Sequence, residues 1–112
     1  MKTAICVLGY GLNAVIASTL LKAEYYIVID SENDANQEKI VNHYNNVSTG
    51  ADIFISQLLI SKGVNIVVCG SCENNALKLF KEANVEILNI VSGSVSEYLN
   101  SFYPKNKPMF YY

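Results

Sequence analysis

"VNIVVCGSCENNALKLFKEANVEILNIV", residues 64–91, decides the fold. Val64 to Gly70 is a strongly apolar run rich in β-branched residues, as a buried strand requires. From Glu73 to Asn84 the pattern changes to a helical one, with Ala76, Leu79, Phe80 and Ala83 on one face. Val85 to Val91 is apolar and strand-like again. A strand, a helix and a strand joined this closely make a parallel pair, and apolar strands imply a sheet covered on both faces.

Towards the C-terminus, Ser94-x-x-Glu97 has the spacing of a helix N-terminus. Val95, Tyr98, Leu99 and Phe102 then form an i, i+3, i+4, i+7 stripe, and Pro104 stops the helix. Residues 1–103 read as one domain and residues 104–112 as an aromatic tail. That tail either packs along the domain or into a second subunit, as in a homodimer, or is a loosely docked end.

Towards the N-terminus, Thr49-x-x-Asp52 is a capping-box-like start. Ile55, Leu58, Leu59 and Lys62 follow, and Gly63 stands where a helix C-terminal glycine belongs. Earlier still, Thr3 to Leu8 reads as a buried strand, "GYGLN" (9–13) as a loop and "STLLKA" (18–23) as a short helical turn. "YYIVID" (25–30) is a second strand, "SENDANQ" (31–37) a polar turn, and "EKIVNHY" (38–44) a weakly alternating edge strand. The first half therefore adds hairpin strands, and the sheet is mixed.

The chain has 112 residues, a formal charge of −2, no Arg, and eight Lys scattered along it. A nucleic-acid footprint needs clustered basic residues, so no nucleic acid is expected. No run approaches the roughly 20 apolar residues of a membrane helix, so no membrane is expected. Gly9, Gly11 and Asn13 interrupt the apolar N-terminal stretch, which argues against a signal peptide. Three cysteines do not make a disulfide framework, and free thiols fit a reducing cytoplasm.

Gly9-x-Gly11-x-x-Ala14 after a strand, with Asp30 ending the next, imitates a dinucleotide fingerprint. The segment after Ala14 would have to be a full helix. Val15, Ile16 and the break at Ser18-Thr19 oppose that, so NAD is not expected. No hydrolytic triad or G-x-S-x-G occurs, and Asp30, Glu32 and Asp34 read as a solvated turn.

Cys69-x-x-Cys72 is the motif that carries chemistry. At a strand end and helix start it presents two sulfurs on one side of a turn, where helix amides and dipole favour anions and thiolates. That arrangement serves disulfide exchange, or supplies two of the four ligands of a metal or cluster. Glu73 should oppose thiolate formation, and no second CxxC completes a site. Cys6 reads as core and His43 as a surface residue. The bland alternative is that the pair is two small buried hydrophobes.

The chain also resembles the dinitrogenase iron–molybdenum cofactor biosynthesis family, the nitrogenase accessory-factor-like domains. Lys62-Gly63-Val64, Gly70, Ala76 and Gly93-Ser94-Val95 sit in register with its pattern. So do Lys22, Ala23, Tyr26 and Asp30, and Asn45 and Asn46 precede the first long helix as an Asn often does there. The resemblance covers nearly the whole chain. It implies a three-layer α/β/α fold of the ribonuclease-H-like type with a mixed five-stranded sheet. It also implies binding or carrying of an iron–sulfur or iron–molybdenum (molybdenum–iron–sulfur) cluster or its precursor. Thr19, Leu20 and Leu21 stand where the family has His-Phe-Gly, and Glu73 and Asn74 where it has Gly-Pro. The loop has gained Cys69 and Cys72.

The leading expectation is a small non-enzymatic metal-cluster carrier. Cys69 and Cys72 would be the metal ligands, with Gly70, Ser71, Glu73 and Asn74 supporting the cofactor. Ligation would be completed by a second subunit, a donor or acceptor protein, or exogenous sulfide. The alternatives are a thiol–disulfide redox protein using the same pair, and an interaction or regulatory module of the same fold without a cofactor. Pro104 and Pro108 both lie in the tail, so no proline is available to sit opposite the pair as in thioredoxin.

Overall fold

The structure, a computed structural model, describes residues 1–9, 11–30, 37–44, 50–91 and 93–102, with the backbone alone for residues 12 and 99–102. Its elements are β1 (Lys2–Leu8), a 3₁₀ turn (Gly11–Asn13), β2 (Val15–Ile16), β3 (Tyr25–Asp30) and β4 (Gln37–Val41). They continue with α1 (Ala51–Ser61), β5 (Ile66–Cys69), α2 (Asn74–Glu82), β6 (Glu86–Asn89) and α3 (Val95–Phe102).

The main sheet runs β4-β3-β1-β5-β6, and the two-residue β2 pairs with the end of β1, so there are six strands where five were expected. β3 is antiparallel to both β1 and β4, whereas β5 is parallel to both β1 and β6. The sheet is mixed, in the strand order of a ribonuclease-H-like fold.

Two crossovers explain the layering. α1 leads from β4 to β5 and α2 from β5 to β6, both advancing the same way across the sheet. Right-handed connections that advance in one direction place their helices on one face. One core cluster accordingly joins Ala4, Cys6, Tyr26, Val28, Val67 and Cys69 to Ile55 and Leu59 of α1 and to Ala76 and Phe80 of α2. The alternate strand residues Ile5, Val7, Ile27, Ile29 and Val68 meet Val95 and Tyr98 of α3 on the other face. Burying a side chain such as the wholly enclosed Phe80 stabilises by roughly 1.5–3 kcal/mol.

The second half follows its pattern closely. Ser94 Oγ accepts the Glu97 amide at 3.1 Å, as its spacing predicts. Gly63 has φ +80° just after the α1 C-terminus and donates to Ile60 O. The start of α1 differs: its N-cap is Gly50, with no side-chain cap. Asp52 of the anticipated capping box turns instead to the Ala76 amide in the first turn of α2. On α2, Ala76 and Phe80 are buried and Leu79 half-buried, whereas Ala83 is exposed.

The first half departs further. "STLLKA" is a hydrogen-bonded turn and not a helix, closed by Thr19 Oγ1 accepting the Lys22 amide. β1 then meets β3 antiparallel, with no crossover helix between them, which rules out the dinucleotide reading of the glycines. Gly9 and Gly11, at φ +89° and +67°, serve the turn that brings β2 back onto β1. β2 also anchors α3: Ile16 N donates to Gly93 O, and Val95 N to Ala14 O.

The predicted turn at 31–36, Asn45, Asn46, Thr49, the side chains of Leu99 and Phe102, and the tail lie outside the described residues. Among the described residues, no helix is long and apolar enough to cross a membrane.

Candidate functional site

Strand register lines up one row of side chains across the sheet. Cys6 of β1 stands opposite Tyr26 of β3. The β1–β5 register, with Ile5 beside Val68, brings Cys6 level with Cys69 on the other side. Tyr26, Cys6 and Cys69 are each 0% exposed. The Tyr26 hydroxyl is satisfied by donating to Leu20 O at 2.7 Å. Cys69 ends β5 at the C-terminal edge of the parallel strands, the edge at which open α/β sheets bind ligands.

Beyond Cys69 the chain leaves the sheet, and Cys72 folds back over it. The two Sγ atoms are 3.3 Å apart, with Cys69 buried and Cys72 half-buried. All three cysteines are free thiols. Cys6 is core, as its place in the first strand implied. His43 is exposed, in the turn after β4 and not within the strand. Among the described residues, no three His, Cys, Asp or Glu side chains are arranged to hold a metal ion.

The loop is fastened to residues 17–20. Gly70 N donates to Ala17 O at 2.9 Å, Leu20 N to Ser71 O at 3.0 Å, and Ser71 Oγ to Ser18 O at 3.2 Å. Asn89 Nδ2 donates to Gly70 O from the neighbouring β6. A Cβ on Gly70 would overlap the Ser18 carbonyl, so the glycine is required by close backbone approach. Leu20, within the departing stretch 19–21, thus bonds directly to Ser71, in the loop between Cys69 and Cys72.

The electrostatics differ from those of an activated CxxC. The hydrogen bond with Cys6 raises the Cys69 pKa most; Cys72 lowers it, and burial raises it again. The Cys72 thiol is pushed up by its hydrogen bond with Cys69, then by burial and by the charges of Cys69 and Glu73. Both thiols stay protonated at neutral pH, contrary to the expected helix-dipole effect. The dipole is engaged elsewhere: Asp52 Oδ2 accepts the Ala76 amide at 3.3 Å. Glu73 is the α2 N-cap in extended geometry but makes no side-chain cap, and its buried Oε1 has no hydrogen-bond partner. Asn74 opens the helix and is exposed. A shallow groove of about 330 Å³ lies nearby between α2 and β6, lined by Leu77, Lys81, Val85, Ile87 and Asn89, and does not include the thiols.

Sequence reading missed three participants. Cys6 and Tyr26 enter through strand register, for which strand alternation gave the face but not the partner. The spacing of Asp52 points only to its own helix, whereas it bonds to the next.

The profile of the family described as dinitrogenase iron-molybdenum cofactor matches residues 1–105. The chain belongs to the dinitrogenase iron–molybdenum cofactor family. Among solved structures, a Thermotoga protein described as NifB is 28% identical, with 93% of this chain and 88% of that one covered and a TM-score of 0.74. The apo form of the orange protein from Desulfovibrio gigas is 21% identical, with 98% and 92% covered and a TM-score of 0.79. A Methanocaldococcus jannaschii protein described as a dinitrogenase is 18% identical, with 90% and 89% covered and a TM-score of 0.60. The last two show a shared fold alone. No match to a curated protein was found. Membership of the iron–molybdenum cofactor family ties the chain to cofactor metabolism, and its own loop carries Glu73 and Asn74 in the place of the expected Gly-Pro, with Cys69 and Cys72 just before them.

Proposed function

We propose that this protein is a small non-enzymatic carrier of an iron–sulfur or iron–molybdenum type cluster, or of its precursor, ligated through Cys69 and Cys72. The observation that supports this reading best is the 3.3 Å approach of the two Sγ atoms at the sheet's C-terminal edge, with Cys72 half-buried. Thiolates are the ordinary ligands of such clusters. Two thiols fill only part of a coordination sphere. The remaining positions are open to sulfide, to a donor or acceptor protein, or to a second copy, which suits cargo that must be handed on. Gly70 and Ser71 serve by fixing the loop against residues 17–20, while Glu73 and Asn74 border the cargo at the start of α2.

Ligation requires deprotonated sulfur, so loading releases protons and strengthens as pH rises. The raised thiols slow thiol–disulfide exchange, whose nucleophile is the thiolate, without preventing it.

The test is the iron, molybdenum and acid-labile sulfide content of protein purified or reconstituted without air, beside the Cys69→Ser/Cys72→Ser double variant. Metal and sulfide bound by the parent and lost in the variant support the carrier. Equal content in both, or none in either, overturns it and leaves the interaction-module reading.

A further inference from the structure

Cys69 and Cys72 are unequal partners in one close pair. Their Sγ atoms lie 3.3 Å apart, whereas a disulfide bond spans about 2.05 Å, so closure needs a shift of little more than an ångström. Cys72 can supply that shift, because it lies in the irregular link between β5 and α2, while Cys69 is held in the sheet. Cys72 is half-buried and open to a small reagent, and Cys69 is enclosed behind it. The flanking residues stay pinned: Gly70 and Ser71 bond to Ala17, Ser18 and Leu20, and α2 is held by Asp52 at Ala76. Cys6 hydrogen-bonds to Cys69 alone and is wholly buried.

We infer that Cys69 and Cys72 form a reversible disulfide that withdraws both ligands, so that cargo is loaded only by the reduced protein. The inference rests on the reading of this pair as the ligating site. The oxidant is a low-molecular-weight disulfide, RSSR. Cys72 sulfur attacks one of its sulfurs, giving a Cys72–S–S–R mixed disulfide and releasing RSH, which carries off the Cys72 proton. Cys69 sulfur then attacks the Cys72 sulfur. The Cys69–Cys72 bond forms, the S–R bond breaks, and a second RSH leaves with the Cys69 proton. The pair is oxidised by two electrons and RSSR is reduced to two thiols. Excess thiol reverses both steps.

The full chain is treated without air with excess oxidised glutathione, unreacted thiols are alkylated, and the tryptic peptides are weighed. Cys69 and Cys72 share peptide 63–78, and Cys6 lies in peptide 3–22. Peptide 63–78 should be unalkylated and lighter by two hydrogens, with peptide 3–22 carrying its alkyl group. Iron and sulfide loading should be lost on oxidation and recovered with dithiothreitol. A pair that stays alkylatable, a cross-link between the two peptides, or equal loading of oxidised and reduced protein overturns the switch. Should reduced protein load nothing while the internal disulfide still forms, the carrier reading and the gating fall and the reversible disulfide stands.

Discussion

Asp52 Oδ2 accepts the backbone amide of Ala76 at 3.3 Å, joining the first turn of α1 to the first turn of α2. Both residues are buried. One carboxylate thus substitutes for the cap that Glu73 does not supply, at an amide in the first turn of the helix that follows Cys72. Asp52→Ala should cost about 1–2 kcal/mol, the range of a lost helix cap. Asp52→Asn should retain much of that, since its amide oxygen still accepts. Urea unfolding of the three proteins measures the difference, and an unchanged midpoint for Asp52→Ala would remove the cap from the account.

Gly70→Ala should destabilise by about 1–3 kcal/mol, the usual cost of overpacking. The added methyl meets the Ser18 carbonyl, which is backbone and cannot rotate away. The strain should also push the loop off residues 17–20 and expose Cys72. Faster iodoacetamide labelling of Cys72 at fixed pH, alongside a lowered unfolding midpoint, is the expected pair of results.

Asn42 is buried after β4 and donates to both Leu21 O and Ala23 O, at 3.0 and 2.8 Å. Its Oδ1 accepts the Tyr44 amide at 2.9 Å. It therefore closes the turn that backs the thiol loop. Asn42→Ala leaves carbonyls unsatisfied and should cost about 1–3 kcal/mol. Equilibrium unfolding checks this, and a change within error would show that water replaces the amide.

The thiols set a pH dependence. The hydrogen bond with Cys6, offset by Cys72, and then burial raise the Cys69 pKa. The bond with Cys69, then burial, raises that of Cys72. An unfolded thiol titrates at about 8.5, so above that pH the unfolded chain gives up protons that the folded one keeps. The stabilisation is complete below about pH 8.5 and declines as pH rises beyond it. Tyr26, also raised, chiefly by burial, adds the same trend only near pH 10, where unfolded tyrosine titrates. The unfolding midpoint should therefore fall between pH 8.5 and 9.5, and fall less in Cys72→Ala. A flat midpoint across that window in the parent protein would contradict the assignment.

The sequence by itself determined the βαβ half of the protein. From Val64 to Val95 each element has its own periodicity, and Gly63 and Ser94 mark ends by local backbone chemistry that needs no distant partner. It also argued against a nucleotide cradle at the glycines after β1, because Val15 and Ile16 resist the helix such a cradle requires, and the antiparallel pairing of β1 with β3 then ruled it out. Tertiary structure alone decided the rest, because each remaining feature depends on residues far apart in the chain. "STLLKA" reads as a short helical turn, and it is a non-helical turn between the antiparallel β1 and β3. Asp52 had a local role available, and packing of α1 on α2 gave it a distant one. Gly70 is a glycine because Ser18 lies against it. Cys69 and Cys72 were legible as a pair, and so was the opposition of Glu73 to thiolate, but not the larger effects of Cys6 and burial. Register puts Cys6 beside Cys69, burial removes water, and Glu73 adds negative charge, so the local helix dipole does not prevail.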